Sequence, residues 1–141
     1  MISMDLSKIR FAKDAMAETE RLNQKVCEAL EPRIKDVGLL GEVYSWFVKW
    51  SGRVMDASDR KKFLFIAMYL FCPSVLIGHT MPRGLRERIK ELIHVKSVTT
   101  ISNEVSNLLF FYNHYKDFKT DVDKAYSYIA EGMSLSGLEK A

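Results

Sequence analysis

Apolar residues recur at spacings of three and four along almost the whole chain. No long window alternates apolar with polar positions, and proline is scarce. This pattern predicts an all-α protein of about six helices. The first is expected over Asp5–Glu31, with Leu6, Ile9, Ala12, Met16, Leu22, Val26 and Leu30 in its apolar row. Asp5 is its candidate cap and Pro32 its stop, because a residue before proline is pushed out of the helical region. A long helix with so narrow an apolar stripe suits packing on a partner helix. Residues 1–36 therefore read either as a dimerisation arm or as a helix lying across its own domain.

Residues 37–131 read as a helical core. A second helix, about Leu39–Trp50, places Leu40, Val43, Tyr44, Phe47 and Trp50 on one face, with Trp46 off that stripe. A third begins near Ser58 or Asp59 and carries "RKKFLFIAMYLF". The stretch "CPSVLIGHTMPRG" reads as a loop, with Pro82 in the first turn of a fourth helix. That helix turns Leu85, Ile89, Leu92 and Ile93 inward. A fifth starts after Ser97 and buries Ile101, Val105, Leu108, Leu109 and Tyr112. In the sixth, Thr120 and Asp123 resemble a capping box and Gly132 a stop. Residues 132–141 are expected to form a loose tail.

Composition changes this picture little. The chain has 141 residues, 48% apolar and 28% charged, the balance of one globular domain. The apolar run from Phe63 to Gly78 is too short to cross a bilayer, so no membrane association is expected. The opening "MISMDLSKIR" is already charged and helical in pattern, so no signal peptide is expected. Cys27 and Cys72 read as small apolar fillers in a reducing, cytoplasmic compartment.

Charge adds more. Residues 43–98 carry 10 Lys/Arg against 4 Asp/Glu, whereas residues 1–42 carry 7 against 8 and residues 99–141 carry 4 against 6. A basic middle suits either a polyanion partner or a merely solvated face. No phosphate-cradling glycine loop and no H-E-x-x-H is present. His79, His94 and His114 lack metal-ligand spacing. Neither enzymatic activity nor a metal or cofactor is expected.

The stretch "ELIHVKSVTTISNEV", Glu91–Val105, holds the end of one helix, a short polar turn and the start of another. Within residues 82–112 this is the layout of a helix-turn-helix, whose second helix enters the major groove. Ser97, Thr99, Thr100 and Asn103 can pair with base edges. Lys96, Arg86 and Lys90 are candidate phosphate contacts, together with Arg60, Lys61 and Lys62. Those last three open a helix whose dipole prefers acids there, a placement that a phosphate backbone would explain. No Lys or Arg lies between Ser97 and Tyr112. Helical pairs of this shape also serve as plain core.

"IAMYLF" (Ile66–Phe71), "IKELIHVKSVTTISNEV" (Ile89–Val105) and "YKDFKTDVDKAYSYI" (Tyr115–Ile129) resemble the C-terminal DNA-binding domain of the replication initiator DnaA, in the Trp repressor-like superfamily. The resemblance covers about residues 58–130, and the interval from Ile93 to Ile101 matches that family's longer turn. The family's Arg, Asp, His, Thr, Thr signature falls on Lys96, Ser97, Val98, Thr99 and Thr100. One positive charge and both threonines match. The Asp and His do not, so the family's sequence specificity does not carry over. Arg60, Lys61 and Lys62 fall on the family's basic loop, and Leu64 stands where that helix commonly has Arg.

The resemblance implies DNA binding without an ATPase engine. The expected function is thus a non-enzymatic protein of double-stranded DNA, a regulator or replication factor of a phage or mobile element, with a homodimer through the first helix. The rival is a helical interaction or assembly module that binds no DNA.

Overall fold

The computed structural model describes residues 3–135, and the chain divides into two compact units, Met1–Glu31 and Pro32–Ala141. Among the described residues it is all-α, with seven helices and two short 3₁₀ turns. The first unit is one helix, α1 (Ser7–Ala29), none of whose residues is buried. Asp5 accepts a hydrogen bond from the Ser7 backbone N–H at 2.9 Å, just ahead of the first turn. Cys27 on this helix is exposed, which corrects its reading as an apolar filler; both cysteines are free.

The second unit holds α2 (Leu40–Ser51), α3 (Ala57–Phe71), α4 (Arg83–Ile93), α5 (Val98–Val105), α6 (Leu108–His114) and α7 (Lys116–Met133). Its centre is α3. Every side chain from Lys62 to Met68 is buried, as are Leu70 and Phe71. A helix covered on all sides cannot be amphipathic, and the unbroken apolar run in the sequence reflects this. Helices α2, α5, α6 and α7 all pack on it. The segment entering the unit is tied to the end of α3, because the backbone N–H groups of Arg33 and Ile34 both donate to the Leu70 carbonyl at 2.9 Å.

Helix boundaries follow local hydrogen bonding. α3 starts slightly earlier than expected because Asp56 accepts from the Asp59 N–H at 2.8 Å and Asp59 reciprocates, a capping box. Pro82 precedes the first turn of α4 rather than joining it. The loop after α3 contains a 3₁₀ turn, Pro73–Ile77, with Pro73 and Val75 buried. The single fifth helix of the sequence reading is two, divided at Ser106–Asn107. There the Ser106 hydroxyl donates to the Asn103 carbonyl at 2.7 Å, competing with the helical pattern. α7 begins at Lys116, so Thr120 and Asp123 lie inside it and form no cap.

α7 also runs through Gly132. It ends at Ser134, whose φ of 57° is left-handed, and the Leu135 N–H closes back on the Ala130 carbonyl at 2.9 Å. Leu135 is buried in the core. The expected loose tail is therefore packed as far as Leu135; residues 136–141 lie outside the described residues. Gly132 has a different duty from stopping a helix. A Cβ placed there would meet the Trp46 ring at 2.7 Å. The off-stripe tryptophan of α2 thus lies against α7, edge-on to Tyr128 at 5.7 Å.

Gly132→Ala is expected to destabilise the fold by about 1–3 kcal/mol through overpacking. Gly41→Ala, in open space on α2, is expected to stabilise it by about 0.4–1 kcal/mol through lost chain entropy in the unfolded state. Chemical denaturation of the two variants measures the contrast.

Candidate nucleic-acid interface

Helix α4 buries Leu85 and Ile89 and exposes Arg83, Glu87, Arg88 and Glu91. It ends at His94, which takes the left-handed conformation with φ 55°. Ser97 is extended, and its hydroxyl accepts from the Thr99 N–H at 3.1 Å, capping α5. The turn is therefore His94–Ser97, with α4 and α5 packed on each other. Ile101 and Val105 anchor α5 on one side. The spacing leaves Thr99, Thr100, Ser102, Asn103 and Ser106 exposed on the other. The structure thus brings Ser97, Thr99, Thr100 and Asn103 together on one uncharged, hydrogen-bonding surface. Lys96 is exposed in the adjoining turn.

The cations at the start of α3 behave otherwise. Arg60 grips Glu104 of α5, with Nε 3.1 and 3.0 Å from the two carboxylate oxygens and Nη2 2.5 Å from one of them. Lys61 Nζ lies over the Phe111 ring of α6, 5.3 Å from its centroid. Lys62 is buried and donates to Asp121 of α7 at 2.8 Å. Three successive cations reach three successive helices. Arg60 and Lys62, two of the candidate phosphate contacts, are thus each engaged by a carboxylate of the protein. Lys61 is half-buried against an aromatic face. Their placement answers the dipole mismatch, because tertiary partners outweigh a local preference worth only about 0.3–1 kcal/mol.

The capping carboxylate just before them is paired as well. Asp59 is 0% exposed and accepts from Arg53 Nε at 3.0 Å and Nη2 at 2.7 Å. The Arg53 guanidinium holds this carboxyl below its ordinary pKa of 3.8 against the opposing effect of burial. The acid on α5 and the acid heading α3 are thus both ion-paired within the framework.

Positive charge at the candidate interface therefore comes from α4 and the turn. Arg86 and Lys90 are half-buried on α4, and Arg86 Nε is buried with no hydrogen-bond acceptor. Arg83 and Arg88 are exposed on the same helix. Sequence reasoning left both off its list of phosphate contacts. The helical spacing that buries Leu85 and Ile89 was the signal that could have found them.

Elsewhere, a half-open cavity of about 240 Å³ is lined by Phe65, Tyr69, Tyr112, Tyr126 and Asp123, among others. The Tyr112 hydroxyl donates to Asp123 at 2.6 Å, and this bond helps push its pKa up to about 12. Among the described residues no cluster of His, Cys, Asp or Glu could hold a metal, and no helix is long and apolar enough to cross a membrane. No family model matches the chain, and no curated protein and no solved structure matches it.

Glu104→Ala, which leaves the half-buried Arg60 without its acceptor, is expected to cost about 1–3 kcal/mol. The double variant Arg60→Met/Glu104→Leu should recover most of that loss, since it leaves no unpaired charge; equilibrium unfolding reads both. Asp59 has a folded pKa below its unfolded one, so its contribution is full above about pH 4 and disappears as pH falls through the folded value. Asp59→Asn should flatten the acid limb of a stability–pH curve.

Proposed function

We propose that this chain binds double-stranded DNA without catalysing a reaction, acting as a regulatory or replication-related factor. In this reading α5 lies in the major groove. Ser97, Thr99, Thr100 and Asn103 face base edges, and α4 crosses the backbone. Lys96, Arg83 and Arg88 contact phosphates, with Arg86 and Lys90 in support. The observation that carries this reading is the outer face of α5. The side chains of Thr99, Thr100, Ser102 and Asn103 are exposed and make no hydrogen bond within the protein. A surface helix of ordinary solvated character would carry charges there. This one offers uncharged donors and acceptors, with Lys96 in the adjoining turn and Arg83 and Arg88 among the exposed charges of α4, in keeping with a division of labour between base and phosphate contacts. The resemblance of Lys96, Thr99 and Thr100 to the initiator signature supports the same assignment.

The same reading includes a homodimer through α1, supported by the exposure of Ile9, Met16, Leu22 and Val26 on that helix. These side chains are also what favours the second reading, an interaction or assembly module that leaves DNA alone.

Fluorescence anisotropy with labelled duplex separates the two. Binding is expected to weaken steeply with rising salt, as phosphate contacts release counterions. Lys96→Ala should weaken binding to all sequences alike and reduce the salt slope by about 1. Asn103→Ala should cost about 1–3 kcal/mol on a selected site. Absence of binding at low salt would overturn the first reading.

A further inference from the structure

Along α1, positions 9, 12, 16, 19, 23, 26 and 30 recur at alternating intervals of three and four. This is the spacing of a two-stranded coiled-coil seam, in which a 3.5-residue repeat keeps one row facing a partner; here it holds Ile9, Ala12, Met16 and Val26, with Thr19 and Asn23 polar and Leu30 at the C-cap. Ile9, Ala12, Met16, Thr19 and Asn23 line one continuous groove of the helix. Ile9 and Met16 are 65% and 73% exposed. Lys13 and Glu20 flank that seam at equivalent places, one heptad apart.

We infer that α1 pairs with α1 of a second copy of this chain in antiparallel orientation, with Lys13 beside the partner's Glu20. This rests on the homodimer reading above and specifies its geometry. Two features of charge favour antiparallel over parallel pairing. The first lies in the flanks. A parallel pair sets Lys8 beside the partner's Lys13, since those are the flanking positions that meet in parallel coils. The antiparallel pair removes that repulsion and creates two symmetry-related Lys13–Glu20 pairs.

The second lies at the ends. α1 has no acid in its first turn and no base in its last. Lys8 and Arg10 sit near the positive end of the helix dipole and Glu28 near the negative end, each the unfavourable sign. An antiparallel neighbour lays the negative end of its helix dipole along the positive end of the first helix, which partly offsets both mismatches.

The register follows from pairing the seam. Ile9 meets the partner's Val26, Ala12 the partner's Asn23 and Met16 the partner's Thr19, so each bulkier side chain faces a smaller or polar one. Ala15 and the partner's Leu22 add apolar contact at the flank. In this register Leu30 lies level with the partner's Asp5. The two Leu30 positions are then roughly 38 Å apart at 1.5 Å per residue. That interval is close to the one-turn spacing of duplex half-sites, about 34 Å.

Sedimentation equilibrium of the full chain without DNA tests the pairing independently of any DNA binding. The chain should dimerise. Lys13→Glu, which turns both attractive pairs repulsive, should weaken the dimer roughly tenfold, and Lys13→Glu/Glu20→Lys should restore it. A parallel dimer responds in the opposite sense, because Lys13→Glu relieves its clash with the partner's Lys8. A dimer that Lys13→Glu tightens or leaves unchanged overturns the antiparallel arrangement alone. A full chain that stays monomeric at high micromolar concentration overturns the pairing itself.

Discussion

The first turns of α3 hold the second unit together. Within four residues, Asp59 is gripped by Arg53, Arg60 grips Glu104, Lys61 lies over Phe111 and Lys62 is buried against Asp121. Ionic groups withdrawn from water lose several kcal/mol of hydration, which only good geometry and full pairing offset. Such a cluster tolerates little displacement. The apolar core, by contrast, accepts many similar packings. We attribute the register of α5, α6 and α7 against α3 to these cations and the bulk of the stability to the apolar surface around them. The Lys62 side chain is 9% exposed and Glu104 13%, while their partners Asp121 and Arg60 keep 41% and 26%, so each pair is part-buried and only partly screened.

The periodic signals were legible in the sequence. All six anticipated helices exist, α5 has the expected inner row of Ile101 and Val105, and its polar outer face is where the spacing placed it. Signals that depend on distant partners were not legible. Arg60 and Glu104 are 44 residues apart, and Lys62 and Asp121 are 59 apart. No local rule pairs them, so the three cations looked like surplus charge in want of a polyanion. Thr120 with Asp123 imitates a capping box, but Asp123 is taken by Tyr112 within a helix already formed. Gly132 imitates a stop, but its missing side chain admits Trp46 from a helix about 85 residues earlier in sequence.

This redistribution alters the candidate interface. Charge counted along the chain overstates what a partner meets, since part of the basic middle is neutralised within the fold. What stays outside around the α4–α5 turn is narrower: Arg83, Arg88 and Lys96, interspersed with Glu87 and Glu91, beside the uncharged outer face of α5.

The topology also bears on biosynthesis. α7 is the last described helix, and it packs on both α2 and α3. Until the ribosome has released residues as far as Leu135, the unbroken apolar surface of α3 has only part of its cover. A nascent or prematurely terminated chain exposes that surface, the kind that aggregates or engages chaperones. Completion of the core therefore waits for the synthesis of α7.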